Sequence, residues 1–248
     1  LAVRHKNCPV GTIATMIEAH PRASYTACEE GTIPLHWAVA KDVSSPEESA
    51  RNLLVARMVL EAFPDGARTC CDQGFLPLHW CLNRTKVDMV LLQLLLEAYE
   101  VGVQLPLQDT GQLALHLLLA QADPLLDAAE MLIRSYPRSV QMCDDDGYLP
   151  LHCGLDSSSV NLDMINLLLE VYPRSVREPT NNGWLPLHIA LSNQRPSERI
   201  IERLLKLYPE AAVQTVSELI ELDTLDAVQR RQFQDMQAST ASASVLME

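Results

Sequence analysis

One six-residue phrase recurs five times in the 248 residues, and it constrains the fold more than any other feature. It reads Gly31-Thr32-Ile33-Pro34-Leu35-His36, Gly74-Phe75-Leu76-Pro77-Leu78-His79, Gly111-Gln112-Leu113-Ala114-Leu115-His116, Gly147-Tyr148-Leu149-Pro150-Leu151-His152 and Gly183-Trp184-Leu185-Pro186-Leu187-His188. The glycines are 43, 37, 36 and 36 residues apart. Self-similarity at such a period is the mark of stacked units, each of which buries its apolar face against the next.

A second phrase keeps step with the first. An aromatic followed by Pro closes an apolar run in His20-Pro21, Phe63-Pro64, Tyr136-Pro137, Tyr172-Pro173 and Tyr208-Pro209, with Tyr99-Glu100 as the variant. This ring lies 20 residues after the motif His in four of five units and 27 after it in the first, which places a seven-residue insertion there. Within a unit, Gly supplies the positive φ of a tight turn, and Pro two residues before His suits the first turn of a helix. Apolar pairs four apart, Leu91/Leu92 with Leu95/Leu96, Ile165 with Leu168/Leu169, and Ile200/Ile201 with Leu204/Leu205, mark one face of a second helix that the next Pro stops. In the insertion, Ser45-Pro46-Glu47-Glu48 reads as an N-cap, a first-turn Pro and a capping-box Glu, so that second helix begins early.

The phrase Gly-x-hydrophobic-Pro-Leu-His, followed by Trp37-Ala38 or Ile189-Ala190, resembles the ankyrin repeat and its Thr-Pro-Leu-His-x-Ala signature over roughly residues 1–213. The resemblance implies an all-α, ankyrin-type solenoid of helix-turn-helix repeats with short hairpin loops. The Thr of the signature is replaced by Ile33, Leu76, Leu113, Leu149 or Leu185, so the hydroxyl that helps cap helix one is lost. The register gives a truncated leading repeat over 1–30, a five-repeat array over 31–213, a helical C-terminal extension over 214–237 and a disordered tail over 238–248. Leu219 stands where a sixth motif Gly is due, and Leu1-Ala2-Val3 aligns with Trp37-Ala38-Val39, so an upstream Pro-Leu-His is expected and the sequence reads as a fragment.

Composition excludes several classes of function. Lys and Arg number 19 against 32 Asp and Glu, a formal charge of −13, opposite to what a phosphate backbone attracts. No membrane insertion is expected, because no apolar run is long enough to span a bilayer. Seven cysteines without a Cys-x-x-Cys pair read as reduced thiols packed in the core, which points to an intracellular, cytoplasmic chain.

Chemistry is thinly signalled. The histidines 36, 79, 116, 152 and 188 occupy one slot, and the resemblance implies that they bond backbone groups and tie neighbouring loops together. Stacked rungs stand too far apart for them to share a metal ion, and no cofactor is expected. Cys153 beside His152 points away from it on a helix, and there is neither a nucleophile elbow nor a phosphate loop, so the chain is expected not to be an enzyme. Asp144-Asp145-Asp146 lacks the ligand spacing of a calcium loop.

What varies at fixed slots is more informative. The residue after the motif Gly is Thr32, Phe75, Gln112, Tyr148 or Trp184, and in the ankyrin fold that side chain projects toward the concave groove. Phe75, Tyr148 and Trp184 are therefore candidate contacts for another protein or peptide, although rings in this slot can equally stack on the adjoining hairpin. Arg84, Asp146, Asp156, Ser192 and Asn193 would line the same groove. The expected function is a monomeric, noncovalent protein-binding scaffold presenting a concave groove and hairpin tips. An RNA-reading helical array and the docking module of a larger enzyme are the alternatives.

Overall fold

Each motif proline opens a helix, and each motif glycine takes the left-handed turn just before it. The computed structural model describes residues 2–4, 8–28, 30–40, 45–84, 86–157, 161–193 and 196–212. The regions 214–237 and 238–248, with Leu219, lie outside the described residues. The chain divides into two compact units, Leu1–Asp145 and Asp146–Glu248. Among the described residues the regular structure is helical, without strands.

The first unit carries α1 (Val10–Ala19), α2 (Pro34–Val39), α3 (Pro46–Ala62), α4 (Pro77–Leu82), α5 (Met89–Ala98), α6 (Ala114–Leu119) and α7 (Leu126–Ser135). The short helices α2, α4 and α6 begin at the motif, and each packs on the longer helix that follows it, α3, α5 or α7. Like helices also stack side by side, α2 on α4 on α6 and α3 on α5 on α7, which makes two helical layers. The second unit repeats the plan with α8 (Pro150–Asp156), α9 (Leu162–Val171), α10 (Pro186–Ser192) and α11 (Glu198–Leu207). There α8 packs on α9 and α10, and α11 packs on α10 and α9. This is an all-α repeat solenoid.

A six-residue helix does not persist alone in water, so burial must hold each first helix. The motif leucines 35, 78, 115, 151 and 187 are all at most 3% exposed, which stabilises by about 2 kcal/mol for each side chain. The paired residues of the second helices are buried as their spacing predicts, apart from a half-buried Leu205. In the insertion, the Ser45 hydroxyl accepts from the Glu48 amide at 3.2 Å, and α3 runs for 17 residues where α5, α7, α9 and α11 have 10.

The proline after the aromatic does more than stop a helix, which is a finding beyond the sequence expectation. It opens a short 3₁₀ helix, at Pro21–Ser24, Pro64–Arg68, Pro137–Gln141 and Pro173–Arg177, and Glu100–Gln104 forms the same element without proline. Tyr99 takes φ −153° and ψ 80°, as Phe63 and Tyr136 do before proline. Proline therefore favours this break but is not required for it. The common factor is a small residue three positions after the aromatic: Ala23, Gly66, Gly102, Ser139 or Ser175. A Cβ on Gly102 would stand 3.2 Å from Leu76 Cδ1, so only a small residue lets this turn lie against the preceding motif.

Candidate functional site

The site is assembled from hairpins and first helices, and the motif histidine joins the two. In all five repeats its Nδ1 accepts the amide hydrogen of the residue that precedes the helix: Ile33, Leu76, Leu113, Leu149 and Leu185, at 2.9 to 3.2 Å. The ring thus satisfies one of the orphan donors of the helix start. The position left without a hydroxyl is free to bury an apolar side chain, and these five residues are at most 5% exposed. His36 Nε2 donates to the carbonyl of Phe75 in the next hairpin at 3.0 Å, which fixes its neutral tautomer and ties these two loops. Burial pushes the His36 ring below the usual histidine range and takes His79 down to about 4.

Each motif glycine lies at φ 67° to 81°. In the first, second and fifth hairpins the glycine amide bonds the carbonyl three residues back, at Cys28, Cys71 and Thr180. In the third, Gly111 reaches four back to Leu107, which locates the residue that lengthens this repeat to 37. Hairpins are bonded to one another through Asp72 N–H to Glu30 O, Asp145 N–H to Thr110 O and Asn181 N–H to Asp146 O, at 3.0 to 3.1 Å. No such bond joins Asp109 to Gln73.

Phe75, Tyr148 and Trp184 are half-buried, and each meets the motif histidine of its own repeat edge to face, with centroids 6.2, 5.8 and 6.2 Å apart. Part of each ring is thereby occupied and part faces solvent. Asp146, Asp156 and Ser192 are exposed. Two candidates must be corrected. Asn193 is buried, and its amide donates to the carbonyls of Leu155 and Ser157 at 2.9 Å, so it binds α10 to the end of α8 rather than lining a groove. Arg84, in the same slot five residues after the motif His, is only 3% exposed, and its three guanidinium nitrogens have no hydrogen-bond partner among the described residues. That slot lies inside because it sits where the first helix ends against its neighbour.

An uncompensated buried charge is costly, so Arg84→Met is expected to stabilise the protein by about 1–3 kcal/mol, read as a raised melting temperature in circular dichroism. An unchanged or lowered melting temperature would show that the guanidinium has an acceptor.

The cysteines also depart from expectation. Cys71, Cys81 and Cys153 are buried, Cys8 is half-buried, and Cys28, Cys70 and Cys143 are exposed, all as free thiols. The exposed three stand on hairpin legs, where not every side chain can face the core. Burial pushes the Cys81 thiol up to about 12. A hydrogen bond with Thr32 holds exposed Cys28 below the usual thiol range. Among the described residues, no three His, Cys, Asp or Glu side chains converge as metal ligands would, and no helix is long and apolar enough to cross a membrane.

One arrangement was missed in the sequence. Trp37 and Trp80, in the slot after the motif His, meet edge to face with centroids 5.5 Å apart, and Trp80 also meets His36 at 5.4 Å. Both are half-buried, as is Leu117 in the same slot, whereas Cys153 and Ile189 in the second unit are buried. The signal lay in the family phrase itself, where Trp37 read as part of the signature and Trp80 fills the same slot in the next repeat.

No protein-family model matches the sequence, and no curated protein matches it. Solved structures do match in fold. A chain of the complex between the predatory endopeptidase Bd0816 from Bdellovibrio bacteriovorus and the immunity protein Bd3460 aligns with TM-score 0.61 at 12% identity, covering 84% of this chain and 95% of that one. EF0377, an ankyrin repeat protein, aligns with TM-score 0.59 at 14% identity, covering 84% and 94%. The fold is an ankyrin-like repeat fold.

Proposed function

We propose that this ankyrin-like repeat fold serves as a noncovalent protein-interaction scaffold, each unit presenting hairpin tips and the exposed face of its first helices to a protein or peptide. The observation that carries this is the recurrence of half-buried rings at one slot of the repeat, Phe75, Tyr148 and Trp184, each meeting the histidine of its own repeat edge to face. Aromatic side chains held rigidly at a surface contribute large contact area with little loss of entropy on binding. The repeat scaffold is ordered before the partner arrives, so the cost of association falls mainly on the partner.

The motif histidines use Nδ1 in structural hydrogen bonds, and the histidine neighbours of Cys153 and Trp80 are committed to the helix start. This favours binding over catalysis. One of the aligned chains belongs to a complex of an endopeptidase with an immunity protein, which is in keeping with protein recognition on this fold.

The test is affinity capture from native lysate, comparing the chain with a folded Phe75→Ala/Tyr148→Ala/Trp184→Ala variant. The variant is expected to lose at least tenfold of its specific partners. Equal capture by both removes the aromatic anchors, and tight RNA binding that weakens steeply with salt would replace a protein ligand with a nucleic acid.

A further inference from the structure

Three features coincide on the first-helix face of the unit Leu1–Asp145. Trp37 and Trp80 pair across neighbouring repeats, with Leu117 in the next equivalent position, and all three stay partly exposed. The hairpins leading into these helices carry exposed Glu30, Asp72 and Asp109. Across residues 30–40, 71–83 and 107–120 there is no Lys or Arg at all. The described cations of this unit lie outside these stretches: Arg51, Arg57 and Arg134 on the second helices, Arg4, Arg22, Arg68 and Arg138 on 3₁₀ turns, and, past the end of α4, buried Arg84 and exposed Lys86. The face therefore joins indole surface to charge of a single sign.

We propose that this face docks a cationic segment of the partner, an Arg- or Lys-rich stretch whose side chains lie over Trp37 and Trp80 while the hairpin carboxylates offset their charge. The proposal rests on the protein-binding function above and names the chemical class of its ligand. Indole is the most favourable ring for a cation, and the long stems of Arg and Lys cover apolar surface while their heads reach carboxylates. The chain uses similar chemistry internally, where the Arg177 guanidinium sits 4.9 Å from the Tyr208 ring centre. A second copy docking by the same face is a poor occupant, because it would bring carboxylates to carboxylates. An acidic segment or a nucleic acid meets the same repulsion. In the second unit, Cys153 and Ile189 offer no comparable ring surface, so docking is confined to residues 1–145.

Selection of a random dodecapeptide display library on the full chain tests this. Enriched peptides are expected to be rich in Arg or Lys. A synthetic peptide of the enriched sequence should bind at least tenfold more weakly to Trp37→Leu/Trp80→Leu, which keeps apolar bulk. Glu30→Gln/Asp109→Asn, confined to exposed side chains, should weaken it several-fold at low salt and much less at high salt. Enrichment of acidic or uncharged peptides, failure to enrich any, or equal affinity for both variants overturns the proposal. Lysate partners retained by Trp37→Leu/Trp80→Leu but lost by the Phe75/Tyr148/Trp184 variant would leave the scaffold function standing and this docking face refuted.

Discussion

Acidification from pH 7 to pH 4.5 is expected to cost the protein several kcal/mol of stability. The His79 ring titrates near 4 when folded and near 6.5 when unfolded, because burial penalises its charged form. At high pH the ring is neutral in both states and does not tilt the balance. Below about 6.5 the unfolded chain takes up the proton first, so stability falls progressively until the folded ring titrates, a loss of about 3 kcal/mol from this residue alone. His36 is displaced in the same direction for the same reason. Protonation also removes the Nδ1 lone pair that caps the helix, a role repeated at 116, 152 and 188. Net charge works the other way, since protonating carboxylates in a chain of −13 relieves repulsion. Urea titrations followed by circular dichroism should show stability rising with pH from 4.5 to 6.5, with a shallower rise in His79→Gln. Stability that is flat or falling across that window contradicts the capping role of neutral histidine.

Gly147→Ala is expected to destabilise far more than Gly183→Ala, although both glycines lie at φ 81°. The backbone cost is shared and amounts to about 1–2 kcal/mol for an L residue in the left-handed region. Around Gly183 nothing among the described residues lies within 4 Å of an added Cβ. At Gly147 the methyl would stand 2.5 Å from the Asn181 amide nitrogen, the group that donates to Asp146 O in the bond between hairpins. Accommodating it means breaking that bond, so a total of about 3–4 kcal/mol is expected. Equal midpoints for the two variants in urea denaturation would show that bonded hairpin stacking contributes nothing to stability.

The backbone plan was legible because it depends on local rules repeated in register. Pro34, Pro77, Pro150 and Pro186 start helices, Gly31 to Gly183 turn the hairpins, and Ser45 caps the lengthened α3, each for reasons contained within a few residues. Capping without Thr was less legible, since the compensating acceptor is a ring nitrogen whose orientation a sequence does not state. Arg84 and Asn193 were misplaced for a different reason. Polar residues at the end of a short helix read as solvated, yet stacking buries that end, where Asn193 finds two carbonyls and Arg84 finds none among the described residues. That Phe75, Tyr148 and Trp184 share one slot was legible from the repeat register, while their edge contacts with histidine depend on ring geometry. The Trp37–Trp80 pair required knowing that two residues 43 apart meet across neighbouring rungs.

The longer third hairpin bears on how strain travels through the unit Leu1–Asp145. Where Asp72 and Asp145 are each pinned to the loop before them, Asp109 is not, so the first two loops and the third are linked at this point through packed side chains rather than through the main chain. A seam of this kind acts as an expansion joint: a ligand that pries apart or draws together the loops around Gly74 and Gly111 deforms soft van der Waals contacts instead of rupturing a directional bond. Amide exchange is expected to register it as a rapidly labelled Asp109 between protected Asp72 and Asp145.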